Sequence, residues 1–511
     1  MKLALLQLEG FHIADHEKAY QNILAKLEEA CQTDADLILL PECSYPGYLM
    51  GAVVDTSWEP RLFELLETVS QKAAAYGKYI AIGVSYPEDG KLYNSAVVFD
   101  RKGTRLGRWD KSNLFHFDRQ WFTAGEKFPV FETEFGKIGV MVCADNRIPE
   151  IPRILRLQGA KLIIDCVNLV AYSARPDQIA NPQYTFMFKT RALENGCYIA
   201  AANKVGVEDH TVTMAGRSCV AGPDGTLIAE CSPDKPEMLL CEVPLDKVPD
   251  IPARRPELYE KLTAPIESLP IYEQIMKPYA LADLECFTAV ARFPAKDKAE
   301  YLQQAANYLR MGTFLSASLI FLCPADLGQT KEDLLTLAPV LKDGVVGAAT
   351  YIENGVTKAL FFSNKGIVGE ISQTHPRGAD KIETVDVHGI RVGAVFGEEM
   401  LIPEIPRVAM LAGADLIAWF DTVGHANNFD TMRTRASESR TFILRASAWG
   451  GEDCSSLLSA DGALLCTTFI GQEHIAAGMV YAAASRLKIV FPGSDIVRNR
   501  IPSAYGEMTK Q

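Results

Sequence analysis

Apolar and polar positions along this chain alternate between two periods. KLALLQLEG opens as a short apolar strand, and the stretch behind it shifts to a helical spacing. Tyr20, Ile23, Leu24 and Leu27 fall at i, i+3, i+4 and i+7, one face of a helix that Asp15 can cap ahead of His16. DLILLPE then returns to a continuous apolar run, as in a strand buried on both faces. YIAIGVSY, SAVVFD, KIGVMVC, KLIIDC and CYIAAANK follow, divided by turn signals and helical stretches. Many short buried strands with a few long helices imply sheets covered by helices, an α/β sandwich.

The same grammar starts again near residue 284. ECFTAVARF reads as a strand, KAEYLQQAANYL as a helix and SLIFLCP as a buried strand. The hexapeptide IPEIPR occurs at 148–153 and again at 402–407, and the match extends on both sides. KIGVMVCADNRIPEIPRILRLQGAKLIIDC aligns without a gap with RVGAVFGEEMLIPEIPRVAMLAGADLIAWF. Ile151, Ile154 and Leu155 stand against Ile405, Val408 and Ala409 at helical spacing, and Gly159 and Gly413 close the two helices as left-handed caps. RALEN recurs as RASES, and AGPDGTLI as LSADGALL. The chain therefore reads as a tandem repeat: residues 1–268, a linker at 269–283, and residues 284–511.

Composition narrows the function. At 511 residues the chain is long for one hydrophobic core, in keeping with two domains. A net charge of −13 with no basic, aromatic-interleaved patch argues against nucleic acid as a partner. MKLALLQLEG lacks the features of a secretory signal, and no apolar run reaches the roughly 20 residues that span a bilayer. The 12 cysteines are scattered through apolar runs with no C-x-x-C pair and no zinc spacing, so neither a metal site nor a disulfide framework is expected. A cytoplasmic protein with reduced cysteines is the reading that follows.

Three stretches of the first half carry candidate chemistry. LILLPECSYPGY puts Glu42 at a strand end, LGRWDKSNLFHFDRQWFTAGE carries Lys111, and KIGVMVCADNRIPE puts Cys143 at another strand end. Each has an ordinary reading in isolation: a surface carboxylate, a solvated lysine and an inert buried cysteine. A carboxylate that closes a fully apolar strand nevertheless needs a partner or a task. Arg147 can clamp a substrate carboxylate through two parallel hydrogen bonds, or pair structurally with Glu150 or Asp145. Tyr172 is a candidate for the pocket wall.

Taken in order, LPE, the K-x-x-L stretch before W-F-x-x-G-E, and V-x-V-C-x-D-x-R-x-P-E resemble the nitrilase, or carbon–nitrogen hydrolase, superfamily. YNSAVVFDRKG, RALENGCYIAAANKVG and AGPDG support the resemblance, which covers residues 1 to about 262 and, weakened, the second half. It implies an αββα four-layer sandwich and a Glu–Lys–Cys triad of Glu42, Lys111 and Cys143. Glu42 would serve as general base and acid, Cys143 as nucleophile, and Lys111 with the backbone N–H of Ala144 as oxyanion support. The helix entered after Cys143 would add partial positive charge near the sulfur, with the prolines of IPEIPR delaying its first turn. The family's second glutamate falls on Asp118. No metal and no organic cofactor is needed.

The second half has none of the three groups. Gly397 stands opposite Cys143, and Pro324 with Ala325, or Cys323 with Pro324, stands opposite Pro41 and Glu42. KGIVGEISQTHPRG parallels KGTRLGRWDKSNLF, yet no lysine follows Lys365 until Lys381. The second domain is thus expected to fold without catalysing. The resemblance also implies association through the helix after the nucleophile. That predicts an intrachain pseudo-dimer with both IPEIPR helices at a pseudo-twofold interface, and leaves further homo-oligomerisation open. The expected activity is hydrolysis of a small-molecule amide or N-carbamoyl compound through a thioester. A non-catalytic binding or scaffold protein, a nitrile hydrolase, and supply of glutamine-derived ammonia to a partner are the alternatives.

Overall fold

The computed structural model describes residues 1–52, 55–171, 181–276, 284–422, 428–450 and 454–510. They form two compact units, Met1–Ile251 with Ile489–Glu507, and Pro252–Lys488 with Met508–Gln511.

In the first unit, β1 (Lys2–Glu9), β2 (Leu37–Leu39), β3 (Tyr79–Glu88), β4 (Lys91–Phe99) and β5 (Arg105–Asp110) lie side by side in one sheet. The first three run parallel and the last two turn back as a meander. Residues 3–8 of β1 are all buried between polar ends, as a central parallel strand requires. A second sheet holds β6 (Val130–Thr133), β7 (Gly136–Val142), β8 (Leu162–Cys166) and β9 (Tyr198–Ala202), extended by Cys219–Ala221 and Leu227–Glu230. Here β7, β8 and β9 are parallel.

The two sheets face one another, with β4 and β5 against β7. Helices α1 (His16–Cys31) and α2 (Glu59–Tyr76) cover the first sheet. The single turn α3 (Asp118–Trp121) packs near β4, while α4 (Glu150–Leu157) and α5 (Phe188–Asn195) cover the second sheet. The layers are those of an αββα sandwich. Tyr20, Ile23 and Leu27 of α1 are buried on one face, as their spacing predicts. Asp15 departs from expectation: α1 starts at His16, but the Asp15 carboxylate makes no cap and instead pairs with Lys18 at 2.9 Å.

The second unit repeats this plan. One sheet is ordered Gly366–Ser372, Val356–Ser363, Val346–Glu353, Leu319–Leu322, Glu285–Arg292, His474–Tyr481. The other runs Thr384–Val387, Ile390–Phe396, Leu416–Asp421, Phe442–Ser447, Ser456–Leu458, Leu464–Thr467. Lys298–Phe314 covers the first, Glu404–Leu411 and Asn428–Ser439 the second.

The division of the chain differs from the boundary read from sequence. Residues 252–276 already belong to the second unit, and 489–507 belong to the first. The reason lies in a short recurrent motif, R-x-P-x-x-Y, at Arg254, Pro256 and Tyr259 and again at Arg500, Pro502 and Tyr505. In each copy the tyrosine hydroxyl accepts the N–H of the residue before the proline at 3.2 Å, from Arg255 and from Ile501. In each copy the arginine reaches the buried glutamate of an IPEIPR helix. Arg254 pairs with Glu404 at 2.8 Å, and Arg500 with Glu150 at 3.6 Å. Arg255 adds bonds to the carbonyls of Thr374 and Ala379 and to Asp380. Each repeat's C-terminal extension thus belongs to the unit built by the other repeat. Of the expected linker, 269–276 carries the helix Ile271–Met276 with Ile271 and Ile275 buried, and the rest lies outside the described residues.

Removing one partner of such a pair strands the other charge in a dry site. Arg254→Ala is expected to lower the stability of the second unit by about 3 kcal/mol. A urea titration followed by near-ultraviolet circular dichroism measures this; an unchanged midpoint would show that Glu404 does not depend on Arg254.

Candidate active site

Glu42, Lys111 and Cys143 all stand just beyond the C-terminal ends of strands, past β2, β5 and β7 respectively. Two glycines let these turns lie close. A Cβ at Gly83 of β3 would stand 2.2 Å from the Pro41 carbonyl oxygen and 2.6 Å from Glu42 Cα. A Cβ at Gly125 would stand 2.2 Å from the Asp110 carbonyl oxygen, beside the bond from Gly125 N–H to the Lys111 carbonyl at 2.9 Å. Gly125 is the glycine of W-F-x-x-G-E, and its task here is to let the lysine turn pack against it.

The charged groups meet in a dry cluster. Lys111 Nζ lies 2.6 Å from Glu42 Oε1 and 2.7 Å from Asp118 Oδ2, with all three side chains essentially inaccessible. Asn94 Nδ2 donates to Glu42 Oε1 at 2.6 Å, and Asp118 Oδ2 also accepts the N–H of Phe115 at 2.7 Å. Burial is the largest influence on Glu42 and lifts its carboxyl above the ordinary value, with Lys111 opposing but not cancelling the effect. Burial disfavours the Lys111 ammonium, but Asp118 and Glu42 outweigh it and hold its pKa well above the usual lysine value. The aspartate in place of the family's glutamate still reaches the lysine.

Cys143 sits in a strained turn. Its φ is +52°, a left-handed conformation that costs an L-residue roughly 1–2 kcal/mol. The turn is held from two sides. Cys143 N–H donates to Asp165 Oδ1 at 2.6 Å, from inside the buried strand β8. Asp145 accepts the N–H groups of Ser112, Asn113 and Val142 at 3.0, 2.7 and 3.1 Å, which ties the lysine turn to the cysteine turn. Burial, then the Glu42 charge, pushes the Cys143 thiol well above its ordinary pKa. The helix expected to begin after the cysteine does not. Cys143–Arg147 is a 3-10 turn and α4 starts only at Glu150, because the prolines of IPEIPR postpone the helix. A helix dipole is therefore not what acts on the sulfur.

A cavity of about 370 Å³ opens beside this cluster, with Lys111, Cys143, Ala144, Arg147, Asn168 and Gln183 among its walls. Ala144 also offers its carbonyl to Asn113 Nδ2 at 2.7 Å. Arg147 is nearly buried, its guanidinium 5.1 Å from the centre of the Phe115 ring. Asn168 and Gln183 are buried, and among the described residues the Asn168 side chain and Gln183 Oε1 have no hydrogen-bond partner. Tyr172 lies outside the described residues. Asn94, Asp165, Asn168 and Gln183 were not anticipated from sequence; only Asp165 left a signal, a carboxylate inside the apolar run LIIDC. Behind the Glu42 turn, the buried Lys204 donates to the Cys43 carbonyl at 2.9 Å and pairs with Glu208, which accepts the N–H of Tyr48 at 3.0 Å.

The second unit keeps the clamp, with other residues at the positions of Lys111 and Cys143. Glu399 occupies the place of Asp145 and accepts the N–H groups of Thr374, His375 and Phe396 at 2.6, 2.8 and 2.9 Å. That register puts Gln373 opposite Lys111. Gly397, opposite Cys143, has φ +51°, so the same turn is made by a residue for which it is unstrained. Opposite Asp165 stands Trp419, whose indole donates to the Gly397 carbonyl at 2.8 Å.

Several known proteins are similar to this chain. The carbon–nitrogen hydrolase family profile matches residues 2–253 and 341–476. A probable nitrilase of Schizosaccharomyces pombe is 30% identical over 50% of this chain and 95% of its own length. A hydrolase from the pqqF 5′ region of Pseudomonas protegens is 35% identical over 45% of this chain and 82% of its own. An omega-amidase of Xenopus laevis is 29% identical over 50% and 96%. A solved amidase from Nesterenkonia sp. covers 51% of this chain and 95% of its own at 24% identity, with a TM-score of 0.45.

The strain at Cys143 predicts an order of stabilities. Cys143→Gly should be more stable than Cys143→Ala by about 1 kcal/mol, despite glycine's greater freedom when unfolded. Paired urea titrations give the order, and the reverse order would remove strain from this turn.

Proposed function

The chain belongs to the carbon–nitrogen hydrolase family, and on that premise we propose that its first unit is a cysteine amidase acting on small amides or N-carbamoyl compounds. The observation that carries this reading is the dry cluster of Glu42, Lys111 and Asp118 at 2.6 and 2.7 Å, beside the cavity that Cys143 lines. Amidase and omega-amidase names among the relatives fit an amide substrate, and nitrilase names stand beside them.

Each group has a task set by its surroundings. The Cys143 thiol is held neutral, so attack needs a base at hand rather than a standing thiolate. Glu42 takes the thiol proton as sulfur bonds to the amide carbon, then gives it to the departing nitrogen when the C–N bond breaks. The oxyanion formed in between is stabilised by Lys111, with the backbone N–H of Ala144. Ammonia or amine leaves, and a thioester on Cys143 remains. A water deprotonated by Glu42 then attacks it, releasing the carboxylic acid and restoring the thiol. Asp118 acts on Lys111: a lone carboxylate–ammonium pair would leave lysine free to hand a proton to Glu42, and the second carboxylate keeps that proton on nitrogen. In the second unit Gln373 and Gly397 stand at the positions of Lys111 and Cys143, so it is assigned a structural role.

Two measurements test the reading. Incubation with a panel of primary amides and carbamoyl compounds, followed by intact mass, should show an acyl adduct on Cys143. Cys143→Ala should abolish both adduct and turnover while the fold remains. A wild-type protein that hydrolyses nothing and is never acylated would leave a binding or scaffold role instead. Glu42→Gln should lower kcat by about 10²–10⁴-fold. Because burial raises Glu42, kcat/KM should fall as pH drops through a value above the ordinary carboxylate range. Glu42 is then protonated and cannot accept the thiol proton. That acid limb should be missing from the residual activity of Glu42→Gln, and its persistence would assign it to another group.

A further inference from the structure

The segment that follows the second repeat in sequence lies in the first unit, and its first residues reach the cavity. Phe491 is part of the cavity wall, its ring 5.3 Å from Phe115 and 5.7 Å from His116 between centroids. We propose that residues 489–507 are a strap that sets which acyl groups the cavity admits, with Phe491 as the specificity-determining residue. This rests on the amidase reading above and adds to it the chemistry of the substrate's acyl part.

Three observations carry the proposal. The first is that the strap is fastened to the substrate-side loop by directional bonds. Ser494 Oγ accepts the N–H of His116 at 2.7 Å, and Arg119 Nε donates to the Gly493 carbonyl at 2.6 Å. His116 Nδ1 lies 3.1 Å from the Pro492 carbonyl oxygen. The second is that this loop needs holding. His116 has φ +47°, and Asp118, two residues on, is the partner of Lys111. The third is that the strap is anchored away from the cavity. Arg500 pairs with the buried Glu150 at 3.6 Å, while within the strap Asp495 accepts the N–H groups of Val497 and Arg498, both at 2.8 Å, and fixes its local turn.

The wall bears on the acyl group for a chemical reason. The leaving nitrogen departs after the first step, whereas the acyl group stays bonded to Cys143 until water releases it. Only the acyl body must fit the enclosed space through both steps. Phe115, Phe117, Leu169, Val170 and Phe491 give that space apolar sides, which suits a short aliphatic or aromatic acyl chain. The size of the side chain at 491 then limits its length.

Substitution should move the limit in both directions. Wild type, Phe491→Ala and Phe491→Trp are compared on straight-chain primary amides from acetamide to hexanamide, and on 2-chloroalkanamides of the same lengths. The second series alkylates Cys143 without turnover, and peptide mass confirms that site among the other cysteines. Phe491→Ala should favour longer chains and Phe491→Trp shorter ones, with the ratio of long to short changing about tenfold for each carbon gained or lost. Melting temperatures close to wild type certify the fold; where Phe491→Ala melts early, Phe491→Leu takes its place. Parallel profiles in all variants, by either series, would overturn the strap. A shifted alkylation profile with no amide hydrolysed by wild type would leave the strap standing and remove the amidase reading.

Discussion

A single carboxylate, that of Asp145, holds the lysine turn and the cysteine turn together. It accepts backbone N–H groups from both, and Trp109 Nε1 adds a further bond at 3.3 Å. Those N–H groups would otherwise be buried without partners, each at a cost of roughly 1–3 kcal/mol. The clamp therefore fixes the distance between β5 and β7 where their chains leave the sheets, and the placement of Lys111 relative to Cys143 follows from it. Glu399 makes the same three backbone bonds in the second unit, where Gly397 stands at the position of Cys143. The clamp is thus common to both units, and Lys111 and Cys143 are mounted on one copy of it.

Mounting them carries its own electrostatic condition. One ammonium between two carboxylates is stable in a dry site only with tight geometry and further hydrogen bonds, and Asn94 and the Phe115 N–H supply these. Among the described residues, Glu42 Oε2 has no hydrogen-bond partner. In the proposed reaction that oxygen is the one that exchanges a proton with thiol, leaving nitrogen and water. Burial raises both the Glu42 carboxyl and the Cys143 thiol, which favours the protonated form of each. In the proposed reaction, attack and proton transfer are accordingly coupled.

What the sequence disclosed follows from how local each feature is. The layers and the face of α1 are legible because apolar period encodes them residue by residue. Glu42, Lys111, Cys143 and Asp118 were legible as an ordered set of motifs, and the structure brings all four to one place. Asn94 was not, since a polar residue in a strand says nothing about which turn it will meet. The delayed start of α4 was half legible: the prolines were in view, but the intervening 3-10 turn was not. Phe491 was out of reach, because its contacts with Phe115 and His116 join residues from opposite ends of the chain. The same holds for the unit boundary, which depends on Arg254 and Arg500 finding glutamates far away in sequence.

The differences between the two repeats have one physical direction. At the turn, Gly397 stands where the first unit has Cys143, without its strain; beneath the turn, Trp419 stands where the first unit has Asp165, an indole with a satisfied N–H in place of a buried carboxyl. Both differences put ordinary packing where the first unit carries a strained or buried polar group. The parts that hold the fold did not change in kind: Glu399 for Asp145, Glu404 for Glu150, Arg254 for Arg500. The clamp and the buried ion pair are therefore independent of whether a unit carries a cysteine at this turn. Residues 489–507, which follow the second repeat in sequence, belong to the unit that holds Cys143, and Phe491 among them lines its cavity.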